Sequence, residues 1–205
     1  MHTKTLLAGA VLSLFAGMSL AQSFDVVVVG SGGAGLSAAI MAKEAGSSVV
    51  VLEKMPYVGG NSNFASGGMN AACTKQQIAA GVTNDSPEIF YQDTMKGGHN
   101  LNNPALLKTL TENARHAEEW LVDLGARFCF RKGRGGGQSV ARGHGPCDGS
   151  AVGPEVLRVL TARLKADKVD ILKGHQVVDI LMKDGAVAGV KVKTAKGTET
   201  IDAKA

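Results

Sequence analysis

The sequence of 205 residues is 44% hydrophobic and 20% charged, a composition typical of a soluble globular protein with one good-sized domain. Its formal net charge of +4 comes from scattered basic residues without an interleaved aromatic stripe, which disfavours a nucleic-acid interface. Only residues 127–134 are locally basic, and the glycines that follow them indicate a loop.

Residues 1–21 are predicted to form a cleavable signal peptide, which leaves residues 22–205 as the folded domain. A basic start, an uncharged apolar stretch and the small-x-small cleavage site Ser19-Leu20-Ala21 follow one another there. An uncleaved membrane anchor is the alternative, but the apolar stretch is short for a bilayer span. We therefore expect a periplasmic protein without a stable membrane span.

Three cysteines, Cys73, Cys129 and Cys147, are an odd number for an exported protein. We expect three buried thiols, and one disulfide with one free thiol is the alternative. None of the cysteines has the spacing of a zinc, iron–sulfur or haem-attachment motif, so no metal site is expected.

Residues 25–53 have the pattern of a βαβ unit. Asp25 and the four valines after it predict a strand buried on both faces, because β-branched apolar runs are typical of parallel sheets. Residues 36–45 predict a helix, and residues 48–52 predict a second strand that leads to Glu53. A G-x-G-x-x-G turn, residues 30–35, joins the first strand to the helix and indicates a dinucleotide-binding unit.

Each glycine of this motif has a physical role. Gly30 permits the tight turn, Gly32 lets the backbone approach a pyrophosphate, and Gly35 lets the helix pack close to the strand. The helix amino terminus faces the phosphate charge. Glu53 is placed to accept hydrogen bonds from a ribose, which disfavours a 2′-phosphate but does not separate NAD from FAD. A plain glycine-rich turn is the alternative.

Two further glycine-rich loops follow, at residues 58–62 and 65–72. Loops of this kind so close to the first turn indicate backbone that lies against a ligand, because glycine permits close approach. A long flexible connection is the alternative.

With these loops the sequence resembles the FAD-binding half of the fumarate reductase/succinate dehydrogenase flavoprotein family. The segments that carry the resemblance are the turn at residues 30–35, Glu53-Lys54, Gly59-Gly60-Asn61 and residues 67–72. The resemblance is greatest to the soluble periplasmic flavocytochrome c branch, whose members act on fumarate, urocanate or methacrylate. It implies an α/β Rossmann-like FAD-binding domain with a parallel sheet and a small β-hairpin.

The resemblance also implies how FAD is held. In membrane-bound members a histidine carries the flavin covalently, and Asn61 occupies that place here, so we expect non-covalent FAD. Asn61 could hydrogen-bond the cofactor or act as a turn residue. The backbone at Val177 matches the family's adenine contact. The implied cofactor-binding residues are Gly30, Gly32, Gly33, Ala34, Gly35, Glu53, Lys54, Gly60, Asn61, Gly67, Gly68, Met69 and Val177.

The middle of the chain predicts two helices with good amino-terminal caps. Ser86-Pro87 begins one that runs to about Lys96, and Asn103-Pro104 begins another that ends before Gly125. A further helix is expected from Gly153-Pro154, then a short strand at residues 170–172. Residues 177–181 and 187–192 predict a β-hairpin, and residues 199–202 a last strand.

Residues 131–149 are rich in glycine, arginine and histidine and have no periodicity. Arg134, Arg142 and His144 could attract an anionic substrate or the charge that develops on the flavin. An ordinary solvated loop is the alternative.

The resemblance implies a periplasmic FAD-dependent reductase of an activated carbon–carbon double bond, with an unsaturated carboxylate such as fumarate as substrate. A separate cytochrome c or quinol-linked protein would supply electrons, because no haem motif is present. The catalytic residues and the substrate-covering domain are expected beyond Ala205, so we expect an amino-terminal fragment. A steroid or amino-acid dehydrogenase or oxidase of the same fold, an NAD-binding domain, and a truncated FAD-binding module without activity are the alternatives.

Overall fold

A three-stranded parallel sheet forms the centre of the fold in the computed structural model, which describes residues 23–205. The predicted signal peptide lies outside the described residues. The strands of the sheet stand in the order β2 (Val26–Val29), β3 (Val49–Glu53) and β7 (Asp170–Lys173). Helix α1 (Gly33–Glu44) connects β2 to β3, so the predicted βαβ unit is confirmed.

A four-stranded sheet covers one face of the parallel sheet. Its two longest strands, β8 (Gln176–Lys183) and β9 (Ala186–Thr194), form the predicted hairpin, and Asp184 and Gly185 have positive φ at its turn. The hairpin is extended by β10 (Gly197–Ala203), which pairs in turn with β1 (Ser23–Phe24). The hairpin is therefore half of a larger sheet rather than an isolated addition.

A third sheet was not predicted. It consists of β4 (Met69–Asn70), β6 (Gly143–Pro146) and β5 (Phe128–Arg131), with β6 in the middle. Its strands are only two to four residues long, too short to show the alternating pattern by which a strand is predicted.

A disulfide links Cys129 of β5 to Cys147, the residue after β6, at one end of the pairing between these strands, with a Cα–Cα distance of 4.9 Å. The expectation of three buried thiols is therefore wrong, and Cys73 is the free cysteine among the described residues. The antiparallel pairing of the two strands brings the cysteines together, and that pairing is long-range information that spacing alone does not give.

Two of the remaining helices begin at the capping residues that the sequence predicts. Helix α3 (Pro87–Gly97) begins after Ser86, whose hydroxyl accepts from the Ile89 amide. Helix α4 (Pro104–Asp123) begins after Asn103 in the same way. A short α2 (Lys75–Ala79) and α5 (Val152–Ala166) complete the set. No helix in residues 23–205 is long and apolar enough to cross a membrane.

Side chains of β3 alternate between two hydrophobic clusters and so hold three layers together. Val49 and Val51 pack with the buried faces of α1 and α5. Val50 and Leu52 pack against β9 and β10 of the four-stranded sheet. All five residues of β3 are buried. By contrast β2 is an edge strand with Val29 58% exposed, so the prediction that it is buried on both faces is wrong.

Candidate functional site

A cleft of about 610 Å³ lies at the carboxyl ends of β2 and β3, where ligands bind in open α/β sheets. Parallel strands end at the same edge of the sheet, so the turn after β2 and the loop after β3 meet there. The start of β8 forms another wall. Seven of the residues predicted to bind the cofactor line this cleft: Gly30, Gly32, Glu53, Lys54, Gly60, Asn61 and Val177.

The glycines of the turn differ in conformation and in surroundings. Gly30 has a φ of +98°, which other residues rarely adopt. A methyl group at Gly35 would collide with the carbonyl oxygen of Gly30, so helix and strand touch there. At Gly32 the nearest atom to such a methyl group would be Ser62 Oγ, 3.7 Å away. The protein itself therefore leaves room for a methyl group at Gly32, which also lines the cleft.

Glu53 is held rigidly at the floor of the cleft. Its Oε2 accepts hydrogen bonds from the Ser31 amide at 3.0 Å and from Ser31 Oγ at 2.5 Å, and its Oε1 accepts from the Met55 amide at 2.8 Å. Burial opposes ionisation of this carboxyl, but the hydrogen bonds outweigh burial and lower its pKa. Glu53 is therefore a fixed carboxylate whose remaining lone pairs can accept from ribose hydroxyls.

Two serines that the sequence analysis did not single out tie the loop after β3 to the glycine turn. Ser31 Oγ accepts from the Gly59 amide at 3.1 Å, and Ser62 Oγ accepts from the Gly33 amide at 3.0 Å. The loop forms a 3₁₀ turn (Gly60–Phe64) that carries Asn61. A serine inside the glycine motif, paired with an acid at the end of the next strand, was the available signal.

Other predicted cofactor-binding residues lie outside the cleft. Gly33, Ala34 and Gly35 form the first turn of α1 behind Gly32. Gly67 and Gly68 precede β4, and a methyl group at Gly68 would lie 2.6 Å from the His144 carbonyl oxygen. Met69 is one of the residues that line a separate cavity of about 390 Å³ between β4, α3 and α4.

Arg142 does not face a substrate, contrary to the hypothesis drawn from its sequence. It is completely buried, and its guanidinium donates to Asp85 at 2.9 Å and to Asp93 at 2.7 Å. Its Cζ also lies 5.0 Å from the centre of the Phe90 ring. Two carboxylates compensate the charge, so Arg142 joins β6 to α3 rather than attracting an anion.

His144 is also buried and structural. Its Nε2 lies 2.8 Å from Thr74 Oγ1, and its Nδ1 lies 3.0 Å from the carbonyl oxygen of Arg142. Removal from water lowers the pKa of the imidazole, which favours the neutral form. The hypothesis that this ring attracts an anion is therefore wrong, because a neutral, bonded imidazole supplies no charge.

The polar groups that line the cleft are of the kinds that bind a dinucleotide. Backbone without a side chain at Gly32, the amino terminus of α1 and the carboxylate of Glu53 match a pyrophosphate and a ribose in position and charge. No cluster of three or more His, Cys, Asp or Glu in residues 23–205 is placed to hold a metal ion.

Comparison with known proteins agrees with this geometry. The FAD binding domain family matches residues 25–205. The NADH:fumarate oxidoreductase of Klebsiella pneumoniae (strain 342) is 50% identical over 171 residues, which are 83% of this chain and 18% of that protein. The fumarate reductase (cytochrome) of Shewanella frigidimarina is 46% identical over 173 residues, or 84% of this chain and 30% of that protein.

Among solved structures, the open conformation of a flavocytochrome c3 fumarate reductase superposes with a TM-score of 0.84 at 38% identity. The match covers 90% of this chain and 33% of that one. The chain thus spans a third or less of the length of these relatives.

Proposed function

Because the chain belongs to the FAD binding domain family, we propose that it forms the cofactor-binding part of a flavin-dependent reductase. The reaction is reduction of a carbon–carbon double bond in an unsaturated carboxylate such as fumarate. The observation that carries the proposal is the identity of 46% and 50% to two fumarate reductases across more than four-fifths of the chain.

Residues of the cleft bind and orient the cofactor in this proposal. Gly32 and the amino terminus of α1 hold the pyrophosphate, since both present backbone N–H groups and positive potential. Glu53 accepts from the ribose next to adenine, and the backbone at Val177 contacts the adenine. Bound FAD supplies the hydride-transfer chemistry, and the protein supplies orientation and electrostatics.

Attachment of FAD is non-covalent in this proposal. Asn61, which lines the cleft, has an amide side chain that cannot form a histidyl link. The imidazole that does line the cleft, His175, lies with its Nδ1 2.8 Å from the Lys173 carbonyl oxygen and its Nε2 3.5 Å from Glu199. It is two residues before Val177, whose backbone contacts the adenine in this proposal.

We also propose a location and an electron donor for the reductase. The predicted signal peptide supports export to the periplasm. A cytochrome c or a quinol-linked protein is the proposed electron donor.

Anaerobic reoxidation of the flavin tests the reaction. The full-length protein that carries this domain is loaded with FAD, reduced with dithionite, freed of excess reductant and mixed with fumarate while absorbance near the flavin maximum is recorded. Return of the oxidised spectrum with formation of succinate supports a reductase. Return of the spectrum with oxygen alone would indicate an oxidase of the same fold, and no response to any unsaturated carboxylate would indicate a binding module.

A further inference from the structure

Arg131, the last residue of β5, is a partly buried cation without an anionic partner. Within residues 23–205 it forms no ion pair and its guanidinium donates no side-chain hydrogen bond. A guanidinium has five N–H donors and keeps its charge at all ordinary pH values. Donors that are partly removed from water therefore remain available for a ligand.

Three glycines border the side chain of Arg131. A methyl group at Gly145 would lie 2.5 Å from its Nη2 and 2.8 Å from its Cζ, so the guanidinium rests directly on the backbone of β6. A methyl group at Gly68 would lie 3.6 Å from its Nη1, and one at Gly143 would lie 3.7 Å from its Cβ. The glycines therefore provide the space in which the guanidinium lies, and a side chain at Gly145 would compete with it for that space.

The neighbourhood adds positive potential. Residues 124–147 contain five Lys or Arg and no Asp or Glu. Arg142 among them is compensated by its two carboxylates, whereas Lys132 and Arg134 are exposed and have no carboxylate within 4.0 Å in the described chain. Arg134 instead donates to the Ser139 carbonyl oxygen at 3.2 Å. The end of β5 is therefore a cationic surface.

We propose that Arg131 binds a carboxylate group of the substrate, an inference that rests on the proposed function. Its planar fork pairs with a carboxylate through two parallel hydrogen bonds. It lies against Gly68, in the loop predicted to contact the cofactor, so the bound carboxylate stands beside that loop. Lys132 and Arg134 attract the dianion without contacting it.

Calorimetric titration of the FAD-loaded full-length protein with fumarate tests this assignment. Arg131→Gln should weaken fumarate binding roughly 10- to 100-fold, because a hydrogen bond to a charged group is lost. Arg131→Lys keeps the charge but not the planar fork of donors. Its affinity for fumarate should therefore lie between those of wild type and Arg131→Gln. Arg134→Gln is the matched control in the same loop and should change the Kd less than about threefold.

A second variant changes the position of the guanidinium and not its charge. Gly145→Ala places a methyl group on the backbone against which Arg131 rests and should weaken fumarate binding about as much as Arg131→Gln. Unchanged binding in Arg131→Gln, or no fumarate binding by the wild-type protein, would overturn the assignment.

Failure of the assignment can be told apart from failure of the proposed reaction. If fumarate reoxidises the reduced flavin with the same KM in wild type and Arg131→Gln, the reaction stands and the role of Arg131 does not. If Arg131→Gln loses fumarate binding while no unsaturated carboxylate reoxidises the wild-type flavin, the binding site stands and the reductase proposal fails.

Discussion

Replacing Glu118 with glutamine should stabilise the protein above neutral pH and leave it nearly unchanged in acid. Glu118 lies on the inner face of α4, is 1% exposed, and its Oε1 has no hydrogen-bond partner among residues 23–205. Burial, with a smaller contribution from the Glu119 carboxylate, raises the pKa of Glu118 from 4.5 to about 7.

The size of the effect follows from linkage. When folding raises the pKa of a carboxyl, its protonated form stabilises the folded protein. This stabilisation is fully present at pH values below the pKa of the unfolded state, and it is lost as the pH rises through the pKa of the folded state. The interval from 4.5 to about 7, at about 1.36 kcal/mol for each pH unit, gives about 3 kcal/mol. The loss accumulates between these two pH values and is complete at pH 8.

Urea unfolding at several pH values from 4 to 8 measures this directly. The free energy of unfolding of Glu118→Gln minus that of wild type should rise from near zero at pH 4 to about 3 kcal/mol at pH 8. Glu119→Gln is the matched control: burial opposes its ionisation, but hydrogen bonds from Arg115 and the Lys75 amide lower its pKa, so this variant should gain nothing at pH 8. Parallel pH curves for wild type and Glu118→Gln would refute the reasoning.

Three further substitutions test the turn and the disulfide. Gly35→Ala should lower the free energy of unfolding by at least about 2 kcal/mol, as measured by urea titration, because the methyl group collides with the turn before α1. Gly32→Ala should change that free energy by less than about 1 kcal/mol yet weaken FAD binding in a fluorescence titration; equal FAD affinity would contradict the role of Gly32. Cys147→Ser opens a disulfide with a sequence separation of 18 and should cost about 3 kcal/mol, whereas a thermal unfolding midpoint equal to that of wild type would count against it.

Much of the fold could be predicted because its signals are local. The valine run and the glycine turn define β2 and the start of α1 within ten residues, and the caps at Ser86 and Asn103 define where two helices begin. The hairpin follows from two apolar runs around Asp184 and Gly185. Each feature depends on neighbours in the sequence, so pattern and structure agree.

What could not be predicted depends on partners far apart in the chain. Arg142 reads as a free cation in a glycine-rich loop, but its carboxylate partners, Asp85 and Asp93, stand 57 and 49 residues before it. The Cys129–Cys147 disulfide depends on the pairing of β5 with β6, whose short strands carry no periodic signal. Exposure of Val29 likewise depends on strand order, because a valine run looks the same in an edge strand and in a central one.

The site shows the same division. The positions of Gly30, Gly32 and Glu53 follow from a motif whose spacing encodes its geometry. That Met69 lies outside this cleft could not be predicted from the motif. Its position depends on the pairing of β4 with β6.

Equilibrium titration of the protein with FAD is the most direct test of the central claim, that the cleft at the ends of β2 and β3 holds this cofactor. We predict saturable binding of one FAD per chain. Because the attachment is non-covalent, intact flavin should be released into the supernatant when the protein is precipitated by acid. Absence of saturable FAD binding, or binding that Gly32→Ala leaves unchanged, would contradict it.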